Sequence, residues 1–136
     1  FGGEYDFFER EDGYTALCTA YGMTFKKTVD LDIGLKYEAM SQGKIDAMIV
    51  FTTDGKLNTA NVVVLKDDRH FFASYQAGNV VRSEVLQKHP ELKDLLDSLT
   101  NTITNEDMAR MNYEVETNGR EPKDVAHEYL VSKGLV

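Results

Sequence analysis

Arg10 stands among Glu9, Glu11 and Asp12, where an aromatic run gives way to a helical pattern. An arginine guanidinium is a planar fork that grips a carboxylate through two hydrogen bonds, which lysine does less well. The same residue equally suits a surface ion pair with an acidic neighbour, an arrangement that is common and weak. Further along, Phe51, Phe71, Phe72 and Tyr75 fall at the end of an apolar run or in an extended stretch. Such rings either belong to a core or wall a cleft, and a wall of rings suits a quaternary ammonium group through cation–π attraction. Thr52, Thr53, Asp54 and Gly55 follow the apolar run "DAMIVF" (46–51) abruptly. Asp-Gly is a strong turn dipeptide, yet the strands of open α/β sheets also end where ligands bind.

Catalytic and metal chemistry have little to work with. His70, His89 and His127 are scattered without metal-ligand spacing. Cys18, the single cysteine, lies on the apolar side of a helical pattern with no basic neighbour to lower its pKa, and reads as a buried inert thiol. No nucleophile elbow, phosphate loop or dinucleotide glycine pattern occurs. The expectation is no catalytic residue, no metal and no cofactor. A net charge of −8 argues against nucleic acid or an anionic membrane surface as partner. The chain of 136 residues, 42% hydrophobic and 28% charged, has ordinary globular composition. No apolar stretch approaches the roughly 18 residues of a membrane span. Because it begins at Phe1 rather than Met, the chain is expected to be a segment of a longer polypeptide.

The elements that must position these groups follow from periodicity. Tyr5–Phe8 reads as a short strand. Asp12 is the expected N-cap of a helix with Tyr14, Leu17, Cys18 and Tyr21 on one face, stopped by Gly22. A strand is expected at 24–29. Asp32 should cap a second helix, with Ile33, Tyr37 and Met40 inward and Gly43 at its end. The run 46–51 reads as a buried strand, and 61–68 as another. Strand and helix alternating in this way predict a parallel α/β arrangement. After an extended stretch at 70–82, the pattern is helical from Ser83. Leu92, Leu95, Leu96 and Leu99 form a stripe, and Thr104 with Asp107 suggests a capping arrangement for the helix of Met108, Met111 and Val115. Pro122 opens a last helix with Val125, Ala126, Tyr129 and Leu130 inward.

The stretches "YDFFEREDGYTALCTAYGM", "DIGLKYEAMSQGKIDAMIVFTTDG", "VVVLKDDRHFFASY", "HPELKDLLDSL" and "MARMNYEVETNGREPKDVAHEYLVSKGL" resemble, in order, the substrate-binding proteins of osmoprotectant ABC importers. These are binders of glycine betaine, carnitine and choline. The resemblance covers essentially the whole chain and corresponds to the second half of a protein about twice as long. It implies an α/β fold of the periplasmic-binding-protein-like type II kind (venus flytrap), present here as a partial chain. Residues 1–72 would be the later part of domain two, and 73–136 the hinge return and the C-terminal helical part of domain one.

The resemblance also implies a function without catalysis, in which a trimethylammonium solute is held by an aromatic cage in an interdomain cleft. Phe51 and Tyr75 match cage positions, although Phe51 departs from the tyrosine common there. Arg10 matches an arginine placed to meet a carboxylate, and Thr52 and Asp54 become polar contacts at the cleft's lip. The implied partners are an ABC permease and ATPase. The implied location is extracytoplasmic, membrane-associated through a lipid anchor or fusion to the permease. Ergothioneine, another betaine, is the alternative ligand, and a small α/β enzyme using Arg10 and Asp54 the remote alternative. A segment lacking its other half should expose the leucine stripe with Val125 and Tyr129, and so self-associate.

Overall fold

A computed structural model describes every residue of the chain except 74 and 75. The chain divides into two units, Phe1–Phe51 with Thr59–Tyr75, and Thr52–Asn58 with Gln76–Val136.

The first unit is built on β1 (Gly2–Gly3), which pairs in parallel with β2 (Val29–Asp30). On its other side Gly2 forms a parallel bridge with Met48, through Gly2 N–H to Ala47 O at 2.8 Å and Ile49 N–H to Gly2 O at 3.3 Å. Three chain segments therefore run parallel side by side, as the α/β reading requires, but each pairs over only one or two residues. The strand expected at 24–29 contributes only its last residue, Val29.

Tyr5–Phe8, expected as a strand, is instead a short helix, α1 (Tyr5–Glu9). Aromatic residues favour strands only where they can pack on a pleated surface. Here the helical turn carries Phe7 and Phe8 into a cluster around Phe1, which meets Phe7 at 6.2 Å, Tyr14 at 5.2 Å and Phe25 at 5.1 Å between ring centroids. Helix α2 (Tyr14–Tyr21) follows, with Leu17 buried. Its N-cap is Gly13, not Asp12, whose carboxylate is taken by Arg10. Gly22 ends it as expected, at φ 65°, with its N–H directed to the carbonyls of Cys18 and Thr19.

Helix α3 (Ile33–Ser41) starts after Asp32 as expected, but its inward face differs. Lys36, Tyr37 and Ala39 are buried, whereas Ile33 is exposed. The segment 61–68 is not a strand: Val63 is 84% exposed and Leu65 82%. Its β-branched residues find no partner strand among the described residues, and strand propensity without a ladder does not make a strand.

The second unit is helical, with α4 (Ser83–Lys88), α5 (Glu91–Asp97), α6 (Asn105–Glu116) and α7 (Pro122–Ser132). The capping arrangement at Thr104 is realised on both sides: Asp107 N–H donates to Thr104 Oγ1 at 3.0 Å, and Thr104 N–H lies 3.5 Å from Asp107 Oδ2. Pro122 occupies the first turn of α7 as expected. Val125 and Tyr129 lie inward on α7 as its periodicity predicts, while Ala126 is exposed. The two are buried, not bare as expected of a segment lacking its other half; Ala109 is buried on α6, the helix against which α7 packs. Of the leucine stripe, Leu92, Leu96 and Leu99 are half-buried and Leu95 is exposed. No helix among the described residues is long and apolar enough to cross a membrane.

Candidate functional site

Parallel strands deliver whatever follows them to one edge of the sheet, where α/β proteins place their ligands. Glu4 comes directly after β1, and Phe51 comes three residues after the Met48 bridge. Lys36 meets both from α3. Its side chain is fully buried, its Nζ donates to Glu4 Oε1 at 3.0 Å, and it stands over two rings, 5.3 Å from the Phe51 centroid and 5.8 Å from that of Tyr37. A buried ammonium is tolerated only with a counter-charge, and the carboxylate of Glu4 supplies one. Phe51 itself remains 39% exposed, so the residue that caps this buried cation also faces outward.

Sequence reasoning missed Lys36 and Glu4. The available signal was a lysine on the side of α3 that carries Tyr37 and Met40, with no hydrophobic residue at its own position. Its partner lies 32 residues away in the chain, which periodicity does not register.

Arg10 follows α1 directly and uses its fork on a near neighbour: Nε donates to Asp12 Oδ1 at 2.7 Å and Nη2 to Oδ2 at 2.6 Å. That hydrogen bond holds the Asp12 carboxyl below its ordinary pKa. The bidentate geometry is that of a carboxylate receptor, and the guanidinium side chain is 46% exposed, so exchange of Asp12 for another carboxylate involves little desolvation.

Asp54 and Thr52 belong to the second unit. Thr52 is exposed, while Asp54 and Gly55 are buried. Asn112 Nδ2 of α6 donates to Thr53 O at 2.8 Å, anchoring the loop from above. A Cβ on Gly55 would lie 2.5 Å from Tyr113 N and 2.7 Å from Asn112 C. The Asp-Gly pair is thus more than a turn: glycine lets this loop lie directly on the backbone of α6. Arg10 and Phe51 fall in the first unit, Thr52 and Asp54 in the second, and Tyr75 lies outside the described residues.

The stretch leading to Tyr75 is held by a clamp within the first unit. The Asp67 carboxylate accepts from the Tyr21 hydroxyl and from the N–H groups of Phe71 and Phe72, both at 2.9 Å. Arg69 adds a bond to Ala20 O and stands over the Tyr21 ring at 5.4 Å. The Tyr21 hydroxyl and then the two N–H donors push the Asp67 carboxyl below its usual range. Desolvation, followed by the bond to Asp67, raises the pKa of the Tyr21 hydroxyl. Phe71 and Phe72 meet edge to face at 4.9 Å. A groove of about 280 Å³ lies on α2 beside Tyr14, Cys18 and Phe25, and none of these groups lines it. Among the described residues, no group of three or more His, Cys, Asp or Glu side chains could hold a metal ion.

Residues 1–132 match the family described as the substrate binding domain of ABC-type glycine betaine transport systems. The chain is 44% identical over 135 residues to an ergothioneine transport permease/ergothioneine binding protein of Helicobacter pylori, covering 99% of this chain and 24% of that protein. It is 42% identical over 123 residues to a carnitine transport binding protein of Listeria monocytogenes, covering 90% of this chain and 40% of that one. A crystal structure of a glycine betaine/carnitine/choline ABC transporter matches with a TM-score of 0.77 and 37% identity, over 98% of this chain and 49% of that one. The chain therefore spans about half the length of the solved relative, and less of the two curated ones.

Proposed function

The chain belongs to the family of substrate-binding domains of ABC-type glycine betaine transport systems, and from that premise we propose that it forms part of a solute-binding protein for a quaternary ammonium compatible solute, namely glycine betaine, carnitine or choline. The fold expectation holds: the class is α/β and periplasmic-binding-protein-like, over a partial span of the solved relative. Relatives of the chain are solute-binding proteins of transporters rather than enzymes.

The observation that carries the reading is the family match, which runs through residues 1–132 and so includes every residue proposed to touch the ligand. In this reading Phe51 and Tyr75 offer ring surface to the trimethylammonium head. Arg10 exchanges Asp12 for the ligand carboxylate, and Thr52 and Asp54 make polar contacts. Residues 1–72 are the later part of domain two, and 73–136 are the hinge return and helical part of domain one. The protein works outside the cytoplasm with an ABC permease and ATPase, tied to the membrane by a lipid anchor or by fusion to the permease. The name of the Helicobacter relative, permease and binding protein together, supports the fused form.

A second reading, ergothioneine, is favoured by the 44% identity over 99% of the chain to an ergothioneine binding protein. Ergothioneine joins a trimethylammonium group to a carboxylate, so the same contacts serve it. Calorimetric titration of the full-length protein with glycine betaine, carnitine, choline and ergothioneine tests both. Micromolar or tighter binding of one of the first three is expected. Tightest binding of ergothioneine selects the second reading, and no binding of any of the four overturns both.

A further inference from the structure

The Phe51 ring already has a cation. Lys36 Nζ stands over it, 5.3 Å from the centroid, inside a region where the lysine side chain has no solvent contact. An aromatic face attracts a cation because the ring quadrupole is negative above its plane. A second cation on the other face meets a ring whose electron density is drawn toward the first. It also feels the first ammonium across a poorly screened distance. Glu4, 3.0 Å from Nζ, offsets part of that repulsion without removing the ammonium from the ring.

We infer that Lys36 is a specificity-determining residue, which turns Phe51 from a cation–π partner into an apolar wall and so lowers the preference of the site for charged over neutral ligands of the same shape. The inference rests on the proposed placement of the ligand at Phe51. It assigns the two faces of one ring to different tasks, the inner one to an internal ion pair and the outer one to methyl groups. It also gives the Glu4–Lys36 pair a use beyond stability, since a pair of this kind is seldom more stabilising than apolar residues of similar size.

The test compares choline with its uncharged carbon isostere, 3,3-dimethylbutan-1-ol, on the full-length protein by calorimetry. A purely structural role of Lys36 changes both affinities together and leaves their ratio alone. In Lys36→Met the ratio in favour of choline is expected to rise about three- to fivefold, the range of one cation–π contact. A Glu4→Gln/Lys36→Met double variant removes both charges, which guards against unfolding caused by a stranded carboxylate. It should show a smaller rise in the same direction. An unchanged or lower ratio in these variants, with Phe51→Ala still weakening choline, overturns the role of Lys36 and leaves the ligand at Phe51. Unchanged choline affinity in Phe51→Ala, or no choline binding at all, overturns the placement at Phe51 and the inference with it.

Discussion

Each of the two units is held together internally by a different kind of contact. In the first, the decisive bonds join residues far apart in the chain: Lys36 to Glu4 across 32 residues, Tyr21 to Asp67 across 46, and Gly2 to the backbone on either side of Met48. In the second, much is local, with Thr104 and Asp107 capping α6, Arg110 to Asp107 at i,i+3 and Lys93 to Asp97 at i,i+4. Two longer bonds supplement these, Tyr129 to Thr102 O at 2.6 Å and Asn112 to Thr53 O at 2.8 Å. Local contacts organise the chain cheaply, because little loop entropy is lost in forming them. Distant ones cost more to form, and when they bury charge, removing one partner is severe.

That contrast predicts the largest loss at Glu4. Glu4→Ala withdraws the carboxylate from a fully buried ammonium and should destabilise the protein by about 3 kcal/mol, read as a lower denaturant midpoint with an unchanged slope. A loss under about 1 kcal/mol would mean that the long-range pair matters no more than a surface one.

Gly55→Ala probes a place where the second unit depends on a distant approach. The new methyl group meets backbone atoms of α6, which cannot rotate away, so about 2 kcal/mol of stability should be lost. Full stability in thermal melts would show that the 52–58 loop lifts off α6 easily.

Arg10→Ala breaks an exposed, local pair, so melting should hardly change. Ligand binding should change: carnitine and glycine betaine are expected to weaken about tenfold, in line with the loss of a charge-assisted hydrogen bond, while choline, which has no carboxylate, stays close to wild type. Equal weakening of all three would assign Arg10 to structure.

The smallest effect belongs to the cap. Thr104→Ala should cost about 1 kcal/mol. Asp107 of the same cap also responds to acid. The hydrogen bond from Tyr129, ahead of those from Arg110 and Thr104, lowers its carboxyl from 3.8 to about 2. Its folded pKa lies below its unfolded one, so its contribution is complete above about pH 4 and disappears as pH falls through about 2. Tyr129→Phe should flatten the dependence of stability on pH across that window; an unaltered dependence would remove Asp107 from the account.

The sequence by itself determined the punctuation of the helices. Gly22, Asp32, Gly43, the Thr104–Asp107 pair and Pro122 all mark boundaries close to where the structure has them. They are legible because a cap acts within about four residues of itself. The parallel α/β class and the resemblance to a family of binding proteins were legible too, since both are carried by order along the chain. Only the tertiary structure decided that Tyr5–Phe8 is helical, that 61–68 is not a strand, and that Lys36 rather than Ile33 turns inward. It also decided that Gly55 lies against α6. In three of these cases the group responsible is distant in sequence: a missing strand partner, the carboxylate of Glu4, the backbone at Tyr113; the turn at 5–8 answers instead to the ring cluster around Phe1. Propensity and periodicity register neighbours along the chain, whereas burial of a charge or pairing of a strand depends on what arrives from elsewhere.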